Sequence, residues 1–295
     1  MTSILNAATL AGMPLPEVGS GGDKEDRGAV LVIAGGGGVP GAPILTGVAA
    51  LRVGAGKLKL ASPPAHALAL GLAVPEALIL AARASIRQEF LGGAVRDLKP
   101  EAAASDGVII GPGMLDVAAA RALTLGLLRA EGQTGFVVDA AALPDVAGAK
   151  AFARLARGRV VLTPHAGEMA AMLSRTKSEV LADPLAAGRQ AASLFSSVVI
   201  MKGATTYVVS PSGDAWRHEG GVAGLGTSGS GDVLAGAVGG LLARGCAPMQ
   251  AALWGVVLHA AAGAGLTRKI GPLGFLASEL PEALPKVMAA LGGRD

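Results

Sequence analysis

The sequence predicts an α/β protein with a mostly parallel, doubly wound sheet and an antiparallel edge. Two observations carry this prediction. Short apolar runs that end at glycine or polar turns alternate with Ala-rich segments along the chain, the pattern of buried parallel strands joined by helices. The 295 residues are 51% hydrophobic but only 3% aromatic, so the core must be built from Ala, Val, Leu and Gly. Such small residues let helices lie close to a sheet.

Residues 1–22 read as a loose N-terminal arm. Residues 23–295 read as one domain, with no internal repeat and no long linker. The first strand is 29–34, stopped by glycines, and 43–53 is the helix after it. Strands follow at 57–61, 107–110, 135–139, 160–163 and 197–201. Residues 206–210 and 215–218, joined by a Pro-Ser-Gly-Asp turn at 211–214, form a β-hairpin. That hairpin supplies the antiparallel edge.

Composition removes several function classes. The formal net charge is +3, and the basic residues form no long run. With so few aromatics for base stacking, a nucleic-acid binder is disfavoured. The mild basic excess suits small anionic ligands, or simply a solvated surface. The single cysteine, Cys246, excludes an internal disulfide and a Cys-rich zinc site, and it suits a cytoplasmic chain. The start MTSILNAATLAGMPLPEVG has no basic region before its apolar stretch, so no signal peptide is expected. Two uncharged runs were weighed as membrane spans. Residues 28–51 carry four consecutive glycines and two prolines, and 245–267 is Ala- and Gly-rich with Pro248, Gln250 and His259. The second reads as a buried core helix.

In an open α/β sheet, ligands sit at the carboxyl ends of strands, and five polar segments fall there. Gly35-Gly36-Gly37-Gly38, with Gly41-Ala42-Pro43 opening a helix, reads either as a tight turn or as a close backbone approach to an anion. Gly111-Pro112-Gly113 offers the same pair of readings. In Thr163-Pro164-His165-Ala166-Gly167-Glu168, His165 is placed to meet a polar ligand. Equally, Glu168 serves as a helix cap and His165 as a loop residue. Lys202-Gly203-Ala204-Thr205-Thr206 presents a lysine to phosphate or to solvent.

The fifth segment carries most chemistry. Gly224-Leu225-Gly226-Thr227-Ser228-Gly229-Ser230-Gly231-Asp232 runs directly into an apolar helix. Glycines and hydroxyls before a helix make a cup of backbone N–H groups at the positive end of the dipole. Gly229, Ser230 and Gly231 are the anion-holding candidates. Asp232 stands at the rim as a general base for a substrate hydroxyl. Its competing reading is a plain N-cap, which needs no run of glycines.

Together these segments resemble the ADP-dependent NAD(P)H-hydrate dehydratases. The resemblance runs in one order over roughly 23–285. It rests on Lys24 to Gly35, on Gly41-Ala42-Pro43 and Ala49 to Gly56, and on Gly111-Pro112-Gly113. It continues through Leu162 to Glu168, Lys202-Gly203-Ala204, Gly229-Ser230-Gly231-Asp232 and Gly271 to Glu279.

The resemblance implies a ribokinase-like three-layer sandwich and a carbon–oxygen lyase that repairs hydrated NADH or NADPH of the (6S) form. Asp232 is then the catalytic base. It deprotonates the ring hydroxyl, ADP phosphorylates that oxygen and leaves as AMP, and phosphate is eliminated to restore NAD(P)H. Gly229, Ser230 and Gly231 hold the phosphoryl group. Ala42, Gly113, His165 and Asp232 contact the hydrated dinucleotide. Lys202, Gly203, Ala204, Thr205, Thr206 and Gly231 line the adenine nucleotide. Mg2+ assists by bridging phosphates, with no protein ligand assigned. The resemblance further implies a homo-oligomer, a tetramer, working with a separate NAD(P)H-hydrate epimerase and with no membrane.

Three positions depart from the family pattern. Ala141 stands where a second Asp is common, Ala166 replaces a proline, and Val222-Ala223 replaces Asn-Pro before Gly224. Two rivals share Asp232 or the fold. One is a kinase of a vitamin-precursor alcohol, of the hydroxymethylpyrimidine or hydroxyethylthiazole type. The other is a non-catalytic nucleotide sensor, in which loss of the base would be expected.

Overall fold

The computed structural model describes residues 2–17, 23–130 and 132–292. Ten strands form one sheet: β1 (Thr2–Ile4), β2 (Ala29–Ile33), β3 (Lys57–Ser62), β4 (Ala77–Ala81), β5 (Gly107–Ile110), β6 (Gly135–Val138), β7 (Val160–Leu162), β8 (Val198–Met201), β9 (Thr206–Val209) and β10 (Ala215–His218). Their order across the sheet is β1-β10-β9-β8-β7-β6-β5-β2-β3-β4. All neighbours pair in parallel except β8 with β9 and β9 with β10. The antiparallel hairpin therefore lies at one end of the sheet, with β1 added outside it.

The chain runs from β2 out to β3 and β4, then returns to place β5 on the other side of β2. The loops after β2 and β5 thus flank a topological switch point, where open α/β sheets bind ligands.

Side chains alternate along each strand between two cores, as the period of two requires. Val30, Val32, Ile109, Val137, Val161 and Ile200 face the helices Ala42–Arg52, Ser230–Ala243, Pro248–Lys269 and Leu280–Leu291. Leu31, Ile33, Val108, Ile110, Phe136, Val138 and Val199 face the other layer, which includes Val117–Leu127 and Pro184–Phe195. The helix Pro248–Lys269 is long and apolar enough to cross a membrane, but 67% of its most apolar window is buried inside the protein. It is a core helix, as its Ala- and Gly-rich composition predicts.

The scarcity of large side chains has a specific use. Ser230–Ala243 crosses Ala42–Arg52 backbone to backbone: a Cβ added at Gly236 would collide with the Thr46 carbonyl oxygen, and a Cβ at Gly240 with the Ala50 carbonyl oxygen. Gly236→Ala is therefore expected to lose at least ~1–3 kcal/mol, the usual cost of overpacking a filled core. Urea unfolding of variant and parent would read this, and unchanged stability would contradict the close crossing.

Two expectations need correction. Residues 2–17 are not loose. β1 completes the otherwise open edge of β10, Leu5 and Leu10 are buried, and Trp254 Nε1 donates to the Met13 carbonyl at 2.7 Å. An unpaired strand edge and two apolar side chains give this segment a reason to dock. Residues 18–22 of the expected arm lie outside the described residues. The strand β4 was not expected at all, because Ala77-Leu78-Ile79-Leu80-Ala81 has the composition of the helices around it.

Candidate active site

The carboxyl ends of β6, β7 and β8 converge on one ionic cluster. Asp139 follows β6 and is only 3% exposed. Its Oδ1 accepts from Thr163 Oγ1 at 2.7 Å and from Lys202 Nζ at 3.0 Å. Thr163 follows β7 and Lys202 follows β8, so each of the three strand ends supplies one member of the cluster. Glu168 Oε2 stands 3.7 Å from the same ammonium. Burial alone would lower the Lys202 pKa, but Asp139 and Glu168 outweigh it and hold it above the ordinary lysine value.

The helix Ser230–Ala243 brings its first turn to this cluster. Gly229 takes the N-cap position at φ +87°, a left-handed conformation that glycine adopts without strain, and no side chain caps the helix. The Ser230 N–H donates to the Thr227 carbonyl oxygen at 3.3 Å, which leaves the N–H groups of Gly231 and Asp232 for a ligand. Gly231 lies so close to Lys202 that a Cβ there would be 3.3 Å from Nζ. Asp232 sits in this first turn but is not the cap, which removes the bland reading of that residue. Burial, then the nearby Asp139, push its carboxyl from 3.8 to about 7, against the opposing pull of Lys202. The result is a carboxylate half-protonated near neutral pH beside an uncapped helix end.

His165 is itself the helix cap. Its Nδ1 accepts from the N–H groups of Gly167 and Glu168 at 3.0 and 3.2 Å, and Glu168 Oε2 accepts from the His165 N–H at 2.7 Å. The pair closes a capping box on the helix Ala166–Leu173. Because Nδ1 is an acceptor, the ring carries its hydrogen on Nε2, which lies 3.4 Å from Glu168 Oε1, and His165 is among the residues that line the cleft.

That cleft has a volume of about 730 Å³. Its polar end is made by His165, Lys202, Ser230, Gly231 and His259, and its apolar flank includes Val222, Leu225, Leu234 and Val256. Lys202, Gly203, Ala204 and Thr206 line it, while Thr205, Gly229 and Asp232 do not; Asp232 stands one residue beyond Gly231, which does. Ala42 and Gly113 stand apart from this lining, at the switch point, where a Cβ on Gly113 would come 2.5 Å from that of Ala42. Gly229 packs against the helix that bears Ala42, since a Cβ there would lie 2.5 Å from Leu45 Cδ1 on the helix Ala42–Arg52. Among the described residues no three His, Cys, Asp or Glu side chains gather into a cation cage.

Sequence reasoning overlooked three members of this site. Asp139 was recognised only as the end of a strand, Thr163 only as part of a motif, and His259 only as a polar residue in an apolar helix. For Asp139 the signal was available, an acid directly after a buried strand. The other two become visible only through their partners.

This α/β sandwich, with an uncapped helix end and a raised carboxyl beside a strand-end lysine, has the ribokinase-like fold. The model of the NAD(P)H-hydrate dehydratase family matches residues 30–286. A protein of Xanthomonas campestris pv. campestris named ADP-dependent (S)-NAD(P)H-hydrate dehydratase is 46% identical, over 97% of this chain and 96% of its own. A Moorella thermoacetica protein named bifunctional NAD(P)H-hydrate repair enzyme is 34% identical over 94% of this chain, which spans 52% of that longer relative. The solved Bacillus subtilis ADP/ATP-dependent NAD(P)H-hydrate dehydratase, co-crystallised with ATP and Mg2+, superposes with a TM-score of 0.82 at 26% identity, covering 98% of this chain and 99% of that one. The chain belongs to the NAD(P)H-hydrate dehydratase family.

Proposed function

We propose that this chain dehydrates (6S)-hydrated NADH and NADPH in the cytoplasm, with ADP as phosphoryl donor. The observation that carries the reading is Asp232, a carboxyl raised to about 7 in the first turn of an uncapped helix, within a chain that matches the family model over residues 30–286. A base with a pKa near the working pH combines an available ionised form with useful basicity. Asp232 takes the proton of the ring hydroxyl as its oxygen bonds to the terminal phosphorus of ADP, and AMP departs. The C–O bond of the phosphorylated carbinolamine then breaks, assisted by the ring nitrogen lone pair. Loss of a proton from the adjacent carbon restores the dihydronicotinamide and frees phosphate.

The N–H groups around Gly229, Ser230 and Gly231 receive the transferred phosphoryl group, where negative charge gathers. Lys202, Gly203, Ala204, Thr205 and Thr206 form the nucleotide side of the cleft, and Ala42, Gly113 and His165 the dinucleotide side. Magnesium, which neutralises phosphate charge when bound, fits here as an ion carried on nucleotide oxygens and water, because Asp139 and Glu168 already face Lys202. The homo-oligomeric state and the pairing with a separate epimerase are part of the same proposal. The test is incubation of purified protein with hydrated NADH and either ADP or ATP. Recovery of the dihydronicotinamide absorbance is expected, together with AMP where ADP is the donor and ADP where ATP is. No recovery with either nucleotide would overturn the reading, and stable accumulation of a phosphorylated alcohol would favour the kinase rival.

A further inference from the structure

His259 is a half-buried titratable group that the proposed chemistry does not use. It projects from the middle of the apolar helix Pro248–Lys269, and its ring lines the polar end of the cleft. Its Nε2 lies 3.0 Å from the Ser230 carbonyl oxygen and 3.0 Å from the Ser230 hydroxyl oxygen.

These two distances decide the tautomer. A carbonyl oxygen only accepts, so an unprotonated Nε2 at 3.0 Å would set lone pair against lone pair. Nε2 must therefore carry the hydrogen and share it between the two oxygens of Ser230. The hydroxyl then meets His259 through its oxygen lone pair. Its own proton is directed away from the ring, which leaves it free for an acceptor in the cleft.

We propose that His259 is a positioning residue that orients the Ser230 hydroxyl as a hydrogen-bond donor to the transferred phosphoryl group. The inference rests on the reading of Gly229, Ser230 and Gly231 as the anion cradle. A hydroxyl held in one rotamer costs no reorganisation when charge develops, which is the condition for such donors to accelerate a reaction. Burial, and secondarily the charge of Lys202, hold the imidazole down to about 4. The ring is therefore neutral at working pH and serves as a fixed donor.

Three measurements test this. His259→Leu should lower kcat by roughly ten- to a hundredfold, the usual effect of removing a partner that orients a site residue, with little change in KM for the hydrate. His259→Gln, whose amide can restore an N–H to Ser230, should recover most of that loss. In a Ser230→Ala background His259→Leu should cost almost nothing further, because the two residues act through one hydroxyl. An equal loss in both backgrounds would mark His259 as merely structural and overturn the proposal, as would full kcat in His259→Leu. Independently of turnover, nitrogen NMR of the labelled imidazole should find the neutral Nε2–H form at pH 7. The Nδ1–H form or an imidazolium would overturn the proposal. A parent enzyme silent towards the hydrate would instead refute the dehydratase reading, with the NMR result still deciding the tautomer.

Discussion

Asp232→Asn is expected to lower turnover of the hydrate by roughly a thousandfold or more, towards the upper end of what a positioned general base contributes. Nucleotide binding should largely survive, since the amide keeps the side chain's shape and the cradle N–H groups are untouched. In the parent, kcat/KM should rise with pH along a limb centred near 7, the value to which burial and Asp139 raise this carboxyl. The same shift makes a prediction about stability. The folded protein keeps a proton that the unfolded chain, near 3.8, has already released. Stability therefore falls as pH rises through that window, and the cost persists above 7. A rise from 3.8 to about 7 corresponds to at most ~4 kcal/mol. Asp232→Asn should thus be inactive yet harder to unfold than the parent at pH 8, with the difference vanishing near pH 4. Unchanged turnover would remove Asp232 from the base role. Equal stability at both pH values would mean that the carboxyl is not strained in the fold.

The parts of the protein that were legible in the sequence are those whose cause is local. The strands β2, β5, β6 and β8 could be read because a short, largely β-branched run ends at a glycine or polar residue. The cradle could be read because glycines, hydroxyls and an acid lie within a few positions of one helix start. What escaped depends on distant partners. The three residues of β1 make sense as a strand only against β10, more than 200 positions away. The Asp139–Lys202 pair joins positions 63 apart, and no spacing rule links them. His259 looks like an isolated polar residue until the helix that bears it is laid across Ser230. The departures at Ala141 and Val222 fall differently in the structure. Val222 lines the cleft and alters its apolar flank, whereas Asp139, two positions before Ala141, keeps a buried acid in the site.

Lys202→Met is expected to have the second large effect, and a double one. The lysine is the main counter-charge to Asp139, a carboxylate 3% exposed whose other hydrogen-bond partner is the neutral Thr163. Removing one partner of a buried ion pair leaves an uncompensated charge and typically costs about 3–5 kcal/mol. Chemical denaturation of the variant at pH 8 should show a loss of that order, and adding Asp139→Asn should recover much of it. Activity should not return in the double variant if Lys202 faces phosphate as proposed, because that charge is still missing. The pH profile supplies the sharper reading. Lys202 pulls the Asp232 carboxyl down while Asp139 pushes it up. Lys202→Met alone should therefore displace the activity limb to higher pH, and the double variant should move it partly back. A limb that stays near 7 in both variants would show that the cluster does not set the base. If the limb moves as expected, the lysine has two linked tasks. It neutralises the arriving phosphate and it sets the pH at which Asp232 can take a proton. Phosphate oxygens drawing Lys202 towards themselves would weaken its hold on Asp232 and leave that carboxylate a stronger base when the donor is bound.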